Sequence, residues 1–171
     1  MQTPKTPNKR GAQKSLFVGI LLALSLLLAL TACSAGSGPA ANNEQAAQPG
    51  DDLVIQISDI SETAKFYPVT VDGTRMEVVA VKAPDGTIRT AFNTCQVCNG
   101  SPKAYFEQSG TTLQCQNCGN KFPMDRVEVE AGGCNPVPIF DTDKTVTDES
   151  ITVSYATLQA NVYRFPANWK K

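Results

Sequence analysis

The sequence predicts a small, mainly β domain (α+β at most). It reads as an antiparallel β meander carrying a zinc-ribbon-like four-cysteine subdomain. Three observations predict this. Short apolar runs after Asp51 are separated by Asp-Gly and Pro-Asp-Gly turn signals. Two C-x-x-C pairs, Cys95/Cys98 and Cys115/Cys118, have residues 99–114 between them, a spacing that suits a four-thiolate metal site. Helical periodicity is confined to one short stretch near the C-terminus.

The first 33 residues read as an address. Lys5, Lys9, Arg10 and Lys14 precede an apolar run, Leu16 to Ala32, that ends in Leu30-Thr31-Ala32-Cys33. This is signal-peptide character with a lipobox, so Cys33 is the expected lipidation site and residues 1–33 the expected signal. A plain membrane anchor is the alternative, because the run nears the ~20 residues that a spanning helix needs. Under the lipoprotein reading the rest of the chain is extracytoplasmic and anchored to a bacterial membrane through lipid. Four of the 15 Lys+Arg precede Cys33, leaving 11 against 16 Asp+Glu, a net charge of −5. A mildly acidic domain argues against nucleic acid as a partner.

Residues 34–50 (SAGSGPAANNEQAAQPG) are small and polar without apolar periodicity, the composition of a flexible tether. The folded domain is expected over 51–171, with strands at Leu53–Ile57, Lys65–Val71, Arg75–Val81 and Thr87–Phe92. Pro68 either demotes the middle of its strand or places it at an edge. Asp72-Gly73 predicts a tight hairpin turn, and Pro84-Asp85-Gly86 a second turn. The meander thus delivers the chain into Cys95. A further hairpin, Ala104–Glu107 with Thr111–Gln114 around Ser109-Gly110, would fold the second cysteine pair over the first. Gly132-Gly133-Cys134-Asn135-Pro136 reads as a turn-rich loop, Ile151–Val153 as a short strand and Tyr155–Val162 as a short helix or turn. The closing Trp169-Lys170-Lys171 carries no secondary-structure signal.

The sequence contains no histidine. That excludes two-cysteine, two-histidine fingers, histidine-based zinc catalysis and serine–histidine triads. Neither cysteine pair continues into the C-x-x-C-H of covalent haem, since Asn99 and Gly119 follow. Four readings of the cysteines stay open. They could form a structural zinc site, an iron or iron–sulfur site, a disulfide framework or a dithiol redox pair. Cys134 is surplus to a plain ribbon. It suits an extra or exchangeable ligand favouring a cluster, a second ion or metal hand-on, and a free buried thiol is the simpler alternative. Gly100, Gly119 and Gly133 would leave backbone amides free to point at sulfur. Tyr105, Phe122 and Met124 either shield the site or belong to the core. Asp141, Asp143, Asp148 and Glu149 match no calcium spacing and read as a solvated loop.

The pattern resembles the FtrD-like family of membrane iron–sulfur proteins. The resemblance is carried by Asp72-Gly73, Val79-Ala80-Val81-Lys82, Asp85-Gly86 and Arg89-Thr90-Ala91-Phe92, then by Cys95-x-x-Cys98, Tyr105 and Gly110. Leu113-x-Cys115-x-x-Cys118-Gly119, Phe122 and Gly132-Gly133-Cys134-Asn135-Pro136-x-Pro138 complete it. It implies iron–sulfur or other metal binding at a membrane and an association with ferrous-iron uptake, in which such a protein passes electrons to membrane partners. The expected ligands are Cys95, Cys98, Cys115 and Cys118, with Cys134 as an adjacent fifth. The expected cofactor is an iron–sulfur cluster or iron, with zinc the alternative. A metal chaperone and a thiol–disulfide redox protein are the remaining alternatives. No residue pattern marks a substrate, and no catalytic residues are assigned.

Overall fold

The computed structural model describes residues 50–171. The expected signal over 1–33, with Cys33, and the tether apart from Gly50 lie outside the described residues. No helix among the described residues is long and apolar enough to cross a membrane.

The predicted meander is present over its last three strands; the first expected strand leaves it and pairs with a strand near the C-terminus in another sheet, because its apolar face closes the core from the opposite layer. Strands β1 (Leu53–Gln56), β2 (Lys65–Val71), β3 (Thr74–Lys82) and β4 (Ile88–Cys95) come first, followed by β5 (Phe106–Ser109), β6 (Thr112–Cys115) and β7 (Lys121–Pro123). Then come β8 (Pro136–Pro138), β9 (Thr145–Val146), β10 (Ser150–Val153) and, among the described residues, one α-helix, α1 (Tyr155–Ala160). They form three antiparallel sheets, in the orders β2-β3-β4-β8, β1-β10-β9 and β5-β6-β7.

Local chemistry explains the first sheet. Asp72 (φ 48°) and Gly73 (φ 77°) both occupy the left-handed region, which a two-residue turn between twisted strands requires. That turn sets the register Val71↔Thr74 and, at the far end, Lys65↔Ala80. Pro68 sits on β2, at one edge of the sheet, and Pro136 and Pro138 sit on β8, at the other. Proline has no N–H to give a neighbour, so edges accommodate it.

Strand β3 lies between two cores and is buried on both faces over Met76-Glu77-Val78-Val79-Ala80-Val81. Met76, Val78 and Ala80 face one core with Tyr67, Val69, Val71 and Phe92. That core is closed by Leu53, Ile55, Ile151 and Val153 from the β1-β10-β9 sheet, by Leu158 of α1, and by Phe165 and Trp169. Val79, Val81, Ala91 and Cys95 point the other way, onto Phe106, Leu113, Cys115, Phe122, Met124 and Val127. The second core is built from smaller parts, with Ala64, Ala83, Ala91, Ala104 and two cysteines among its members. Burial stabilises in proportion to apolar area. This half of the domain therefore has less hydrophobic stabilisation to draw on and more to gain from a metal staple.

The closing segment has a definite place. Trp169 is only 1% exposed and packs edge-on against Phe165 (centroids 5.1 Å) and Tyr105 (6.1 Å). The backbone N–H of Lys170 donates to the carbonyl of Pro102 (2.8 Å). Its ammonium pairs with the buried carboxylate of Glu77 (2.8 Å) and lies 5.1–5.6 Å from the ring centroids of Tyr105, Phe66 and Trp169. Asn93 completes this bridge between layers. Its amide nitrogen donates to Glu77 (2.7 Å) and its amide oxygen accepts from the Phe106 N–H (2.8 Å), so a side chain joins β4 to β5.

Candidate metal centre

Three turns bring the cysteines together, and each is prepared by the element before it. Strand β4 ends in Cys95, whose N–H donates to the Ala104 carbonyl (3.1 Å). The chain then turns through Gln96–Gly100, with the Ser101 N–H donating to the Cys98 carbonyl (3.1 Å). Strand β6 ends in Cys115, and Gly119, at φ +75°, lets its N–H return to the Cys115 carbonyl (2.8 Å). The two turns are tied to each other. The Gln116 N–H donates to the Tyr105 carbonyl (2.8 Å), and the Ser101 hydroxyl donates to the Asn117 side-chain oxygen (2.7 Å).

The third turn carries Cys134 and is held from both sides. The Gln96 side chain accepts from the Gly132 N–H (2.9 Å) and donates to the Pro136 carbonyl (3.2 Å). The Gln96 N–H reaches the Asn135 carbonyl (3.0 Å). The Asn120 amide donates to the carbonyl of Cys134 itself (2.9 Å). Behind this loop Glu128 and Lys144 form a buried ion pair (2.6 Å), and the Glu128 carboxylate also accepts from the Thr90 backbone N–H and hydroxyl.

The five cysteines among the described residues carry free thiols. Their sulfurs form two sets whose members lie within 4.8 Å of one another: Cys95, Cys98 and Cys115, and then Cys98, Cys118 and Cys134. Cys98 belongs to both sets, and the Cys118 sulfur also contacts that of Cys115. The first set is mostly buried. Cys118 in the second is exposed, and Cys98 and Cys134 are half-buried. In a tetrahedral thiolate site, metal–sulfur bonds of ~2.3 Å put neighbouring sulfurs about 3.8 Å apart. Both trios are compact enough for one face of such a polyhedron, and an all-sulfur donor set suits zinc or iron.

Environment separates the thiols. Burial pushes Cys95 well above the ordinary thiol range and raises Cys115 in the same way. Cys118 goes the other way, to about 7, chiefly because the Asn120 backbone N–H donates to its sulfur. Cys134 is raised, first by its contact with the Cys118 sulfur. The arrangement therefore offers a readily ionised thiol at the open rim and thiols in the interior that burial keeps protonated, which a metal must deprotonate as it binds. Neither C-x-x-C pair opens a helix. Cys95 and Cys115 end strands and lead into turns, unlike the helix-head setting that activates dithiol redox pairs.

Phe122 and Met124 pack in the core that contains Cys95 and Cys115. Tyr105 instead packs beside the opposite core, against Trp169. Asp141, Asp143, Asp148 and Glu149 are all exposed. Gln96, Asn120 and Asn93 position the cysteine turns but carry no motif. Amide side chains that bond to backbone groups across 13 to 40 residues leave no periodic trace.

Fold and site together define a β protein that presents a cluster of free thiols able to hold a thiophilic metal. The chain belongs to the FtrD-like family, described as membrane iron–sulfur containing protein FtrD-like, whose model matches residues 57–165. No curated protein matches the chain. Among solved structures, the quaternary ammonium Rieske monooxygenase CntA in complex with the inhibitor MMV12 is similar at 18% identity, with a TM-score of 0.30. The match covers 66% of this chain and 29% of that one, an overlap that bears on neither fold nor chemistry.

Proposed function

We propose that the domain binds iron, as an iron–sulfur cluster or as thiolate-bound iron, and passes electrons at a bacterial membrane. The observation that carries this reading is the convergence of five free thiols, from three separately braced turns, into two overlapping trios. Thiolate ligands, nearby N–H donors and partial solvent exposure are the features by which a protein sets the potential of such a centre. When bound, the group supplies one-electron chemistry. The chain's residues supply the sulfurs, the buried side chains behind them and an open rim at Cys118. In this reading Cys33 carries the lipid, the domain works on the extracytoplasmic side, and its partners are membrane electron-transfer or ferrous-iron uptake proteins.

One observation favours a second reading. The core behind the cysteines is rich in alanine, and a zinc staple would compensate for its small side chains. Metal analysis with an optical spectrum decides between them, using protein purified anaerobically beside a Cys134→Ser variant. Bound iron with a visible band that reduction bleaches supports electron transfer. Stoichiometric zinc in a colourless protein that also refuses iron on anaerobic reconstitution refutes it, because zinc has no redox change.

A further inference from the structure

We propose that Cys98 is a shared ligand and that the cluster takes two thiophilic metal ions, an inner one on Cys95–Cys98–Cys115 and an outer, exchangeable one on Cys98–Cys118–Cys134. This rests on the reading of the cluster as a thiolate metal centre and goes beyond it, by assigning the sulfurs to two faces with different tasks.

The geometry is that of two triangles with a common corner, whose other sulfurs also touch through Cys115–Cys118 and Cys95–Cys134. Each trio is mutually close, and only Cys98 belongs to both. A thiolate sulfur has lone pairs enough to bind two cations at once, so a shared corner needs no further donor. The two faces differ in access. Cys95 and Cys115 are 0% and 1% exposed, are fixed at strand ends and are backed by Phe106, Leu113 and Met124 in the same core. The outer face has an exposed Cys118 and a half-buried Cys134. Cys134 rides on a loop with two left-handed glycines, Gly132 (φ +89°) and Gly133 (φ +76°). Three protein ligands leave a tetrahedral ion one position for water or for an incoming ligand. At the outer face that position adjoins solvent, so an ion there can be exchanged stepwise with a donor or acceptor offering its own thiolate, imidazole or carboxylate. The inner ion has no such route and is retained. Cys134 then has a task that a four-cysteine ribbon does not require, as the sulfur that makes the outer face a site.

The test uses the full chain in detergent, reduced and anaerobic, titrated with cobalt(II) alone. Ions per chain are counted by native mass spectrometry while sulfur-to-cobalt charge-transfer absorption is followed. The expected result is two ions per chain in the wild type, with biphasic release to a chelator. Cys134→Ser and Cys118→Ser should each retain one ion, with only the slow phase. Cys118→Ser alters an exposed position outside the hydrophobic core, so loss of the fold does not confuse its outcome. Cys98→Ser should weaken both sites, each by about tenfold or more. Saturation at one ion per chain, unchanged in Cys134→Ser, overturns the two-ion assignment and leaves the metal reading standing. Absence of any cobalt–sulfur band overturns both.

Discussion

The contact between Lys170 and Glu77 can be tested by removing one charge. Lys170→Met keeps a long apolar side chain against Phe66, Tyr105 and Trp169 but strands the Glu77 carboxylate, whose side chain is 6% exposed. Only the Asn93 amide then remains to donate to it. Breaking a fully buried pair from one side costs about 3–5 kcal/mol. The Lys170 side chain is 25% exposed, so water shares the load and the figure falls to about 2–3 kcal/mol. For a domain of this size that corresponds to a drop in Tm of roughly 10 °C. The assay is urea and thermal unfolding followed by far-UV circular dichroism. Trp169 is the sole tryptophan, and it sits too close to the substitution for its fluorescence to serve as the primary probe. The double variant Glu77→Gln/Lys170→Met removes both charges, keeps an acceptor for Asn93 and should recover at least half of the loss. A cost below about 0.5 kcal/mol for the single variant would refute the reasoning, as would a double variant no more stable than the single one. The closing segment would then be packed on the domain without bracing it.

Three further outcomes follow from individual geometries. In metal-free protein, iodoacetamide should modify Cys118 first at neutral pH, since it is exposed and its thiol is lowered to about 7; peptide mapping reads the order, and earlier modification of Cys134 would contradict the assignment. Gly119→Ala should cost about 1 kcal/mol, purely from its φ of +75°, because a Cβ there meets nothing within 4 Å; chemical denaturation measures it, and a neutral result would mean that the second turn relaxes freely. Asp85 should titrate with a midpoint near 2, lowered first by the Thr87 hydroxyl, then by the Thr87 N–H and Arg89. A carboxyl held below its unfolded value stabilises the turn above about pH 4 and loses that contribution as pH falls toward 2. Carbon NMR of the carboxylate tests this, and a midpoint near 4 would contradict it.

The parts of the fold that follow from local chemistry were legible in the sequence. Asp72-Gly73 has to make a left-handed turn, and that turn fixes the hairpin on either side. Arg75–Val81 was legible as a strand, but its burial on both faces emerges only with the two cores packed against it. Strand β4 was readable only as far as Phe92. It continues to Cys95 because Asn93, polar and wholly buried, finds its partners in Glu77 and Phe106, which no local pattern reveals. The hairpin between the cysteine pairs was expected to begin at Ala104. It begins at Phe106, because the carbonyls of Ala104 and Tyr105 are occupied by the N–H groups of Cys95 and Gln116. The turn-rich loop read from Gly132 ends at Pro136, and no element is legible beyond it; paired with Ala91 to Cys95 at a sheet edge, Pro136–Pro138 forms a strand whose prolines need no ladder donor. Trp169 and Lys170 gave no signal at all, since their partners lie in three other segments. The cysteine types and spacings pointed to a metal site, but the sharing of Cys98 between two trios emerges only once the third turn is folded against the other two.

The double burial of β3 makes that strand a ready instrument for genetics. Between Met76 and Val81 even-numbered side chains belong to one core and odd-numbered apolar ones to the other. Lesions at Val78 or Ala80 should therefore segregate as general folding defects, whereas lesions at Val79 or Val81 should segregate with loss of the thiol cluster. A saturation screen along six consecutive codons would show phenotypes alternating with residue parity, and that alternation would divide the labour of the domain.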